Sequence, residues 1–301
     1  MRNFVFGAMM LAPLAACHQS QAELAQACFG RDARSAIAAC SAAVALRGYS
    51  GTKLSLLYVA KGENELHIHD AAAAVGDLGQ AVAIDSRNAL AYYHRSYAYR
   101  ALHDQEHALA DLDQALDLDP ESKRYRFARG EFYLSERRTA DAIADYDQIL
   151  AKEGSNLHAL QMKAVAYSLA REPEKAIEQI NTVLLIAPNL PEGLAMRCLF
   201  RGTANIDASL ALTDCDRAVA MKPNDPKFVA VRARVRFELG QAEGAMADAK
   251  AALKLDPHQQ MAMYVVGLAK GQSGDSVGSK ASLTAAHSRL EETWFNSTVP
   301  Q

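Results

Sequence analysis

The stretch Tyr92–Pro120 reads YYHRSYAYRALHDQEHALADLDQALDLDP, and its spacing decides the fold. Apolar or small residues return at helical intervals through Tyr92, Ser96 and Tyr99, and again through Ala108, Leu112 and Ala115. Two such runs are two amphipathic helices. His103-Asp104-Gln105 between them is short and polar, as an inter-helix turn should be. The second helix stops at Asp117-Leu118-Asp119-Pro120, because proline has no amide hydrogen and its ring clashes with the preceding turn. The stretch is therefore read as an antiparallel helix hairpin.

Moving outward, the same pattern returns along the chain. Small residues stand at Gly62, Ser96, Gly130, Ala164, Cys198, Ala233 and Gly267, each 34 residues after the last except for one step of 35. A second column is Ala74, Ala108, Ala142, Ala176, Ala211, Ala245 and Ser279. A third, mostly larger, is Leu78, Leu112, Tyr146, Ile180, Cys215, Ala249 and Leu283, and a fourth runs from Ala81 through Ala115 and Ile149 to Ala286. Units end at Ser86, Pro120, Gly154, Pro188, Pro223 and Pro257. Two helices that cross closely need small side chains at the crossing, which the first two columns supply. The third and fourth columns give the second helix an apolar stripe to bury. A fixed period of this length marks stacked repeats.

On Tyr92, Ser96, Tyr99, Ala108, Leu112, Ala115 and Pro120, the chain resembles the tetratricopeptide repeat family. The resemblance implies an all-α fold: a right-handed superhelical solenoid of antiparallel helix pairs, with about seven clear repeats. An eighth, degenerate repeat precedes them, with Ala36, Cys40 and Ala43 in the second-helix columns and Leu24 where a small residue is expected. The unit from Lys123 ends on Gly154 in place of proline, and the unit from Pro191 carries one extra residue, read into the turn near Asn205-Ile206-Asp207. At 301 residues, length alone favours two domains. The unbroken period overrides that and predicts one continuous solenoid over 21–293, with a tail at 294–301. Trp294 and Phe295 in that tail are read as a cap on the last unit's open apolar face.

Composition agrees. Aromatic residues are only 7%, which disfavours a β-sandwich. The net charge of −3 excludes the basic footprint of a nucleic-acid-binding protein.

Residues 1–17, MRNFVFGAMMLAPLAAC, carry an early Arg2 and an apolar run from Phe4 to Ala16. The run is too short for a bilayer of ~30 Å but suits a secretory signal. Leu14-Ala15-Ala16-Cys17 resembles the lipobox of bacterial lipoproteins, which implies removal of 1–16, acylation of Cys17 and a short tether over 17–20. Ordinary cleavage after Ala22, giving a soluble periplasmic protein, is the alternative. The expected location is the periplasmic side of a bacterial envelope membrane, the outer one favoured. No other stretch is apolar and long enough to cross a membrane.

Four further cysteines in an exported chain invite pairing. Cys198 and Cys215 lie in the first and third columns of one hairpin, on opposite helices and nearly symmetric about its turn. Cys28 and Cys40 also flank a turn, although their heights differ by about one helical turn. Four buried free thiols are the alternative.

Catalytic motifs are missing: there is no Cys-x-x-Cys and no Gly-x-Ser-x-Gly. His103-Asp104-Gln105-Glu106-His107 straddles a turn and lacks the His-Glu-x-x-His order. Together with His67, His69 and Asp70 it defines a histidine edge, the basis of an alternative reading as a periplasmic metal-binding or enzymatic protein. Gly274-Asp275-Ser276-Val277-Gly278-Ser279-Lys280 lacks the ending of a phosphate loop and reads as a turn opening a helix. The chain is read as a non-enzyme without cofactor or bound metal.

In tetratricopeptide proteins the first helix of each pair lines a concave groove that receives peptides. Carried over, the resemblance points to Tyr93, Tyr97 and Arg100 in one unit and to Arg124, Phe127 and Glu131 in the next. Aromatic and Arg side chains offer large, stiff contact area and directional donors. Some members grip a C-terminal carboxylate with Lys and Asn at matching positions. Here Tyr93, Tyr97 and Phe127 stand there, so that mode is not expected. The implied function is a lipid-anchored scaffold or adaptor for a protein or peptide partner in the cell envelope.

Overall fold

The computed structural model describes residues 20–284. The signal segment, Cys17, Trp294 and Phe295 lie outside the described residues. The chain divides into two compact units between Glu121 and Ser122. Every regular element among the described residues is helical.

The first unit contains three hairpins. Helices α1 (Gln21–Ala27) and α2 (Ala33–Ala45) form the first, α3 (Gly51–His67) and α4 (Ala71–Ile84) the second, and α5 (Ala89–Ala101) and α6 (Gln105–Leu118) the third. The second unit contains α7 (Lys123–Ser135) with α8 (Thr139–Lys152), and α9 (Leu157–Leu169) with α10 (Pro173–Ile186). Then come α11 (Pro191–Ala204) with α12 (Ala208–Met221), and α13 (Pro226–Glu238) with α14 (Ala242–Leu255). Helix α15 (Gln260–Gln272) is followed by a helical stretch over 276–284. Each unit is a stack of antiparallel helix pairs, the all-α solenoid class that the 34-residue period predicts.

Local chemistry fixes the turns. The first helix of a pair ends on a residue in the left-handed region: His69, His103, Arg137 and Arg171, then Gly240 and Gly274. The next amide closes the motif by donating back to the helix, as Asp70 does to the Glu65 carbonyl at 2.8 Å. Asp70 and Asp104 then cap the second helix by accepting from the amides of Ala73 and His107. Three residues thus stop one helix and start the next.

The extra residue of the fifth clear hairpin sits elsewhere than the sequence reading placed it. The turn Asn205–Asp207 keeps three residues, and helix α11 lengthens to 14 where α5, α7, α9 and α13 have 13. Asn205 and Asp207 both take left-handed angles there, which their short polar side chains tolerate.

The helices of a pair touch where the first and third columns meet. A Cβ built on Gly130 would lie 2.8 Å from the Tyr146 ring, and one on Gly62 would lie 2.5 Å from Leu78. The wide ring of Tyr146 therefore requires a glycine opposite. At the same register stand Ser96 with Leu112, Ala164 with Ile180 and Ala233 with Ala249. Cys198 and Cys215 take this place in the α11–α12 hairpin, and a disulfide joins them across a Cα–Cα distance of 5.4 Å. A second disulfide joins Cys28 to Cys40 at 4.7 Å. Cys28, the C-cap of α1, stands one turn beyond Leu24, and the bond spans that difference in height.

Tyr146 is fully buried, and its hydroxyl has no hydrogen-bond partner. Replacing Tyr146 by Phe should raise stability by about 1 kcal/mol, read from denaturant midpoints, since an orphaned buried hydroxyl is costly. Gly130→Ala should lose about 1–3 kcal/mol by overpacking, and Tyr146→Leu in the same chain should restore most of it. Replacing Cys198 and Cys215 together by Ala should cost about 3 kcal/mol for a loop of this size.

Candidate functional site

In the first unit, the three residues expected on the inner face of α5 form one cluster. The Tyr93 and Tyr97 rings are half-buried with centroids 5.1 Å apart in an edge-to-face arrangement, and their hydroxyls are 3.4 Å apart. The Arg100 guanidinium lies 5.6 Å from the Tyr97 ring centre. The His94 ring meets Tyr93 edge-on, with centroids 5.1 Å apart. Two turns of helix therefore present two phenols and a cation, a surface suited to planar and carbonyl-bearing groups.

The second unit carries the other expected residues. Arg124 is exposed, while Phe127 and Glu131 are half-buried. Phe127 packs on His158 of α9 with ring centres 4.6 Å apart, and on Tyr146 at 6.0 Å. Burial holds the His158 imidazole below its ordinary acid constant, so it behaves as a neutral ring. Farther along the same unit, Arg234 lies 4.7 Å from the Tyr264 ring centre and pairs with Glu238.

The sequence reading missed His158, Arg234 and Tyr264, although the signal was present. Counting the period forward from Arg124, Phe127 and Glu131 leads to His158, Tyr264 and Arg234 respectively. The reading followed the inner-face columns to Ala195, Leu199 and Ala230, where they offer little, and stopped short of His158, Arg234 and Tyr264.

It also missed a second set of columns that hold the scaffold. One residue before the small column stand Lys61, Arg95, Arg129, Lys163, Arg197 and Arg232. One residue before the third stand Asp77, Asp111, Asp145, Gln179, Asp214 and Asp248. Lys61 meets Asp77 at 2.8 Å. Four arginines grip their aspartates with two hydrogen bonds each, every one between 2.7 and 2.9 Å. The four aspartates are buried. Where Gln179 interrupts the column, Lys163 turns to Asp147 at 2.6 Å. Four residues after each cation a further side chain joins: Tyr99, Tyr133 and Tyr167 stack near the cation, whereas Arg201 and Arg236 bind the same aspartate again.

The histidine edge does not converge. His107 donates through Nδ1 to the carboxylate of Asp104, its cap residue, at 2.8 Å, and stacks on Tyr99. The Asp104 carboxylate raises the His107 acid constant. Among the described residues, no three His, Cys, Asp or Glu side chains gather as a metal-binding group. Gly274 takes φ +89° and Asp275 accepts from the Gly278 amide at 2.8 Å, which makes this segment a capped helix start.

Two family models of the tetratricopeptide repeat match the sequence, over residues 133–197 and 89–122. The repeats measured in the structure continue on either side of those matches. The chain carries tetratricopeptide repeats. No curated protein matches it in sequence. Among solved structures, it is similar to a tetratricopeptide repeat protein from Parabacteroides merdae, with 17% identity and a TM-score of 0.67 over 89% of this chain and 98% of that one. The C-terminal part of a repeat protein from Cytophaga hutchinsonii aligns with 14% identity and a TM-score of 0.62, over 82% of this chain and 99% of that one. Yeast Tom70 aligns with 17% identity and a TM-score of 0.57, over 86% of this chain and 57% of Tom70. At such identities the likeness is one of fold alone.

The ion-pair column yields a direct test. Asp214 accepts from both Arg197 and Arg201, and its side chain is 5% exposed. Asp214→Asn should destabilise the second unit by about 3–5 kcal/mol, since two guanidinium groups then face no charge. Unfolding monitored by helical circular dichroism reads this directly.

Proposed function

We propose that this tetratricopeptide protein is a non-catalytic adaptor of the bacterial cell envelope, exported through its N-terminal signal and held at the periplasmic side of the outer membrane by acylation of Cys17. Its partner is a protein or peptide that lies along the first-helix faces.

The observation that carries the interaction reading is the Tyr93–Tyr97–Arg100 cluster. The hairpin-crossing and ion-pair columns are occupied by packing within the scaffold, and this cluster belongs to neither. Tyr and Arg dominate the residues whose truncation costs protein interfaces most. In the second unit Phe127 with His158, and Arg234 with Tyr264, repeat the pairing of aromatic and polar groups on the corresponding positions. Two disulfides support folding in an oxidising compartment. The lipobox-like Leu14-Ala15-Ala16-Cys17 supports the anchor, and several acyl chains on one cysteine give stable membrane attachment.

Changing Tyr93, Tyr97 and Arg100 to Ala should reduce partner recovery in whole-cell crosslinking by about tenfold or more, with the thermal transition of the variant as control. Unchanged recovery from a folded variant would remove this face from the interface. Radiolabelled fatty acid should mark the wild-type chain and leave Cys17→Ala unmarked. An unlabelled wild-type chain would replace the anchor by ordinary cleavage and a soluble periplasmic protein.

A further inference from the structure

The α3–α4 hairpin departs from the others at one buried position. Four residues after the column cation, the later hairpins carry Tyr99, Tyr133, Tyr167, Arg201 and Arg236, all of which can sit beside an aspartate without repulsion. Helix α3 carries Glu65 there. Its side chain is 6% exposed, and it shares the single charge of Lys61, 3.8 Å away, with Asp77, which Lys61 contacts at 2.8 Å. Glu65 Oε2 is fully enclosed and has no donor directed at it. Two carboxylates and one ammonium in a largely enclosed site leave one negative charge without compensation. An enclosed acceptor beside a second carboxylate is resolved in one economical way, by a hydrogen on one of the two oxygens.

We propose that the α3–α4 hairpin is a proton-dependent joint, in which Glu65 is kept as the neutral acid and donates a hydrogen bond to Asp77. Loss of that proton sets the buried Glu65 carboxylate against the half-buried Asp77 carboxylate and loosens α3 from α4. No other reactant takes part: the proton leaves Glu65 for solvent and returns from it.

The surroundings agree. Burial, reinforced by Asp77, pushes the Glu65 acid constant up to about 8 from its ordinary 4.5. The charged groups acting on it are Lys61 of its own helix, which favours the ion, and Asp77 and Asp70 of α4, which oppose it. Arg95 of α5 is already held by Asp111. From α1, the neighbouring contact is uncharged: Asn64 Nδ2 donates to the Cys28 carbonyl at 3.4 Å. That bond links α3 to the disulfide-closed first hairpin, so the joint lies between the disulfide-closed first hairpin and the rest of the first unit.

The direction of the pH effect follows from the raised constant. The folded protein holds a proton that the unfolded chain releases near pH 4.5, so the stabilisation is complete in acid and is lost as pH rises towards about 8. Hydrogen exchange of the full chain, corrected for its intrinsic pH dependence, should show protection of α3 and α4 amides falling by about tenfold per pH unit across that window, with α13 and α14 as internal control. Glu65→Gln should abolish the fall. Infrared spectra should show a protonated carboxylic acid band at neutral pH in the wild type that Glu65→Gln removes. Should Glu65→Gln fail to fold, Glu65→Tyr, which installs the residue of the next three hairpins, must give the same flat profile. Identical profiles in wild type and a folded variant, or no acid band in the wild type, would overturn the proposal.

Discussion

Everything in this molecule depends on how closely the two helices of each hairpin approach at their crossing. The backbone separation there is set by a pair of side chains, one from each helix, and the pair must fill the space without excess. The protein meets that requirement in several ways. Gly130 accommodates Tyr146, Gly62 accommodates Leu78, and two alanines, Ala233 and Ala249, suffice where both partners are small. In α11–α12 the pair is a covalent bond between Cys198 and Cys215. Close-packed interiors tolerate such exchanges when the volume is kept and resist them when one member changes alone.

Packing at the crossing would not by itself fix the rotation of one helix against the other, because small residues slide. The ion-pair columns supply the missing direction. Each Arg reaches from the first helix to a buried Asp on the second, one residue before the crossing on both. A bidentate guanidinium–carboxylate contact has a defined plane and distance. Buried ion pairs contribute little net stability over apolar residues of similar volume, so their contribution is to select one register, a role attested for buried polar groups elsewhere. The interruption at Gln179 follows the same logic: deprived of its aspartate, Lys163 finds Asp147 rather than remain uncompensated.

The fold was legible in the sequence because the crossing residues are chemically constrained and recur at a fixed interval. Small residues at Gly62, Ser96 and Gly130 admit few other readings at 34-residue spacing. The ion-pair columns were equally periodic, yet charged residues on a helix are ordinarily solvated, and nothing in their identity announced that Asp111 or Asp248 would be buried. Cys28 and Cys40 are offset by about one helical turn, yet Cys28 at the end of α1 comes within a Cα–Cα distance of 4.7 Å of Cys40. The placement of the extra residue failed on turn geometry. A turn that must close one helix and cap the next in three residues has no room for a fourth, so the surplus went into α11.

The inner-face positions obey a different rule, which explains why the candidate site was only partly readable. Tyr93, Phe127, Gln161, Ala195, Ala230 and Tyr264 occupy one register, and no single property unites them. A position that serves the hairpin must repeat, since each hairpin solves the same packing problem. A position that serves a partner has no reason to repeat, because successive parts of a bound chain differ. Variation at this register contrasts with the regularity of the ion-pair and crossing columns two and three residues away. In the first unit the register carries Tyr93, beside Tyr97 and Arg100; in the second, Ala195 and Ala230 are buried in the core, whereas Tyr264 meets Arg234.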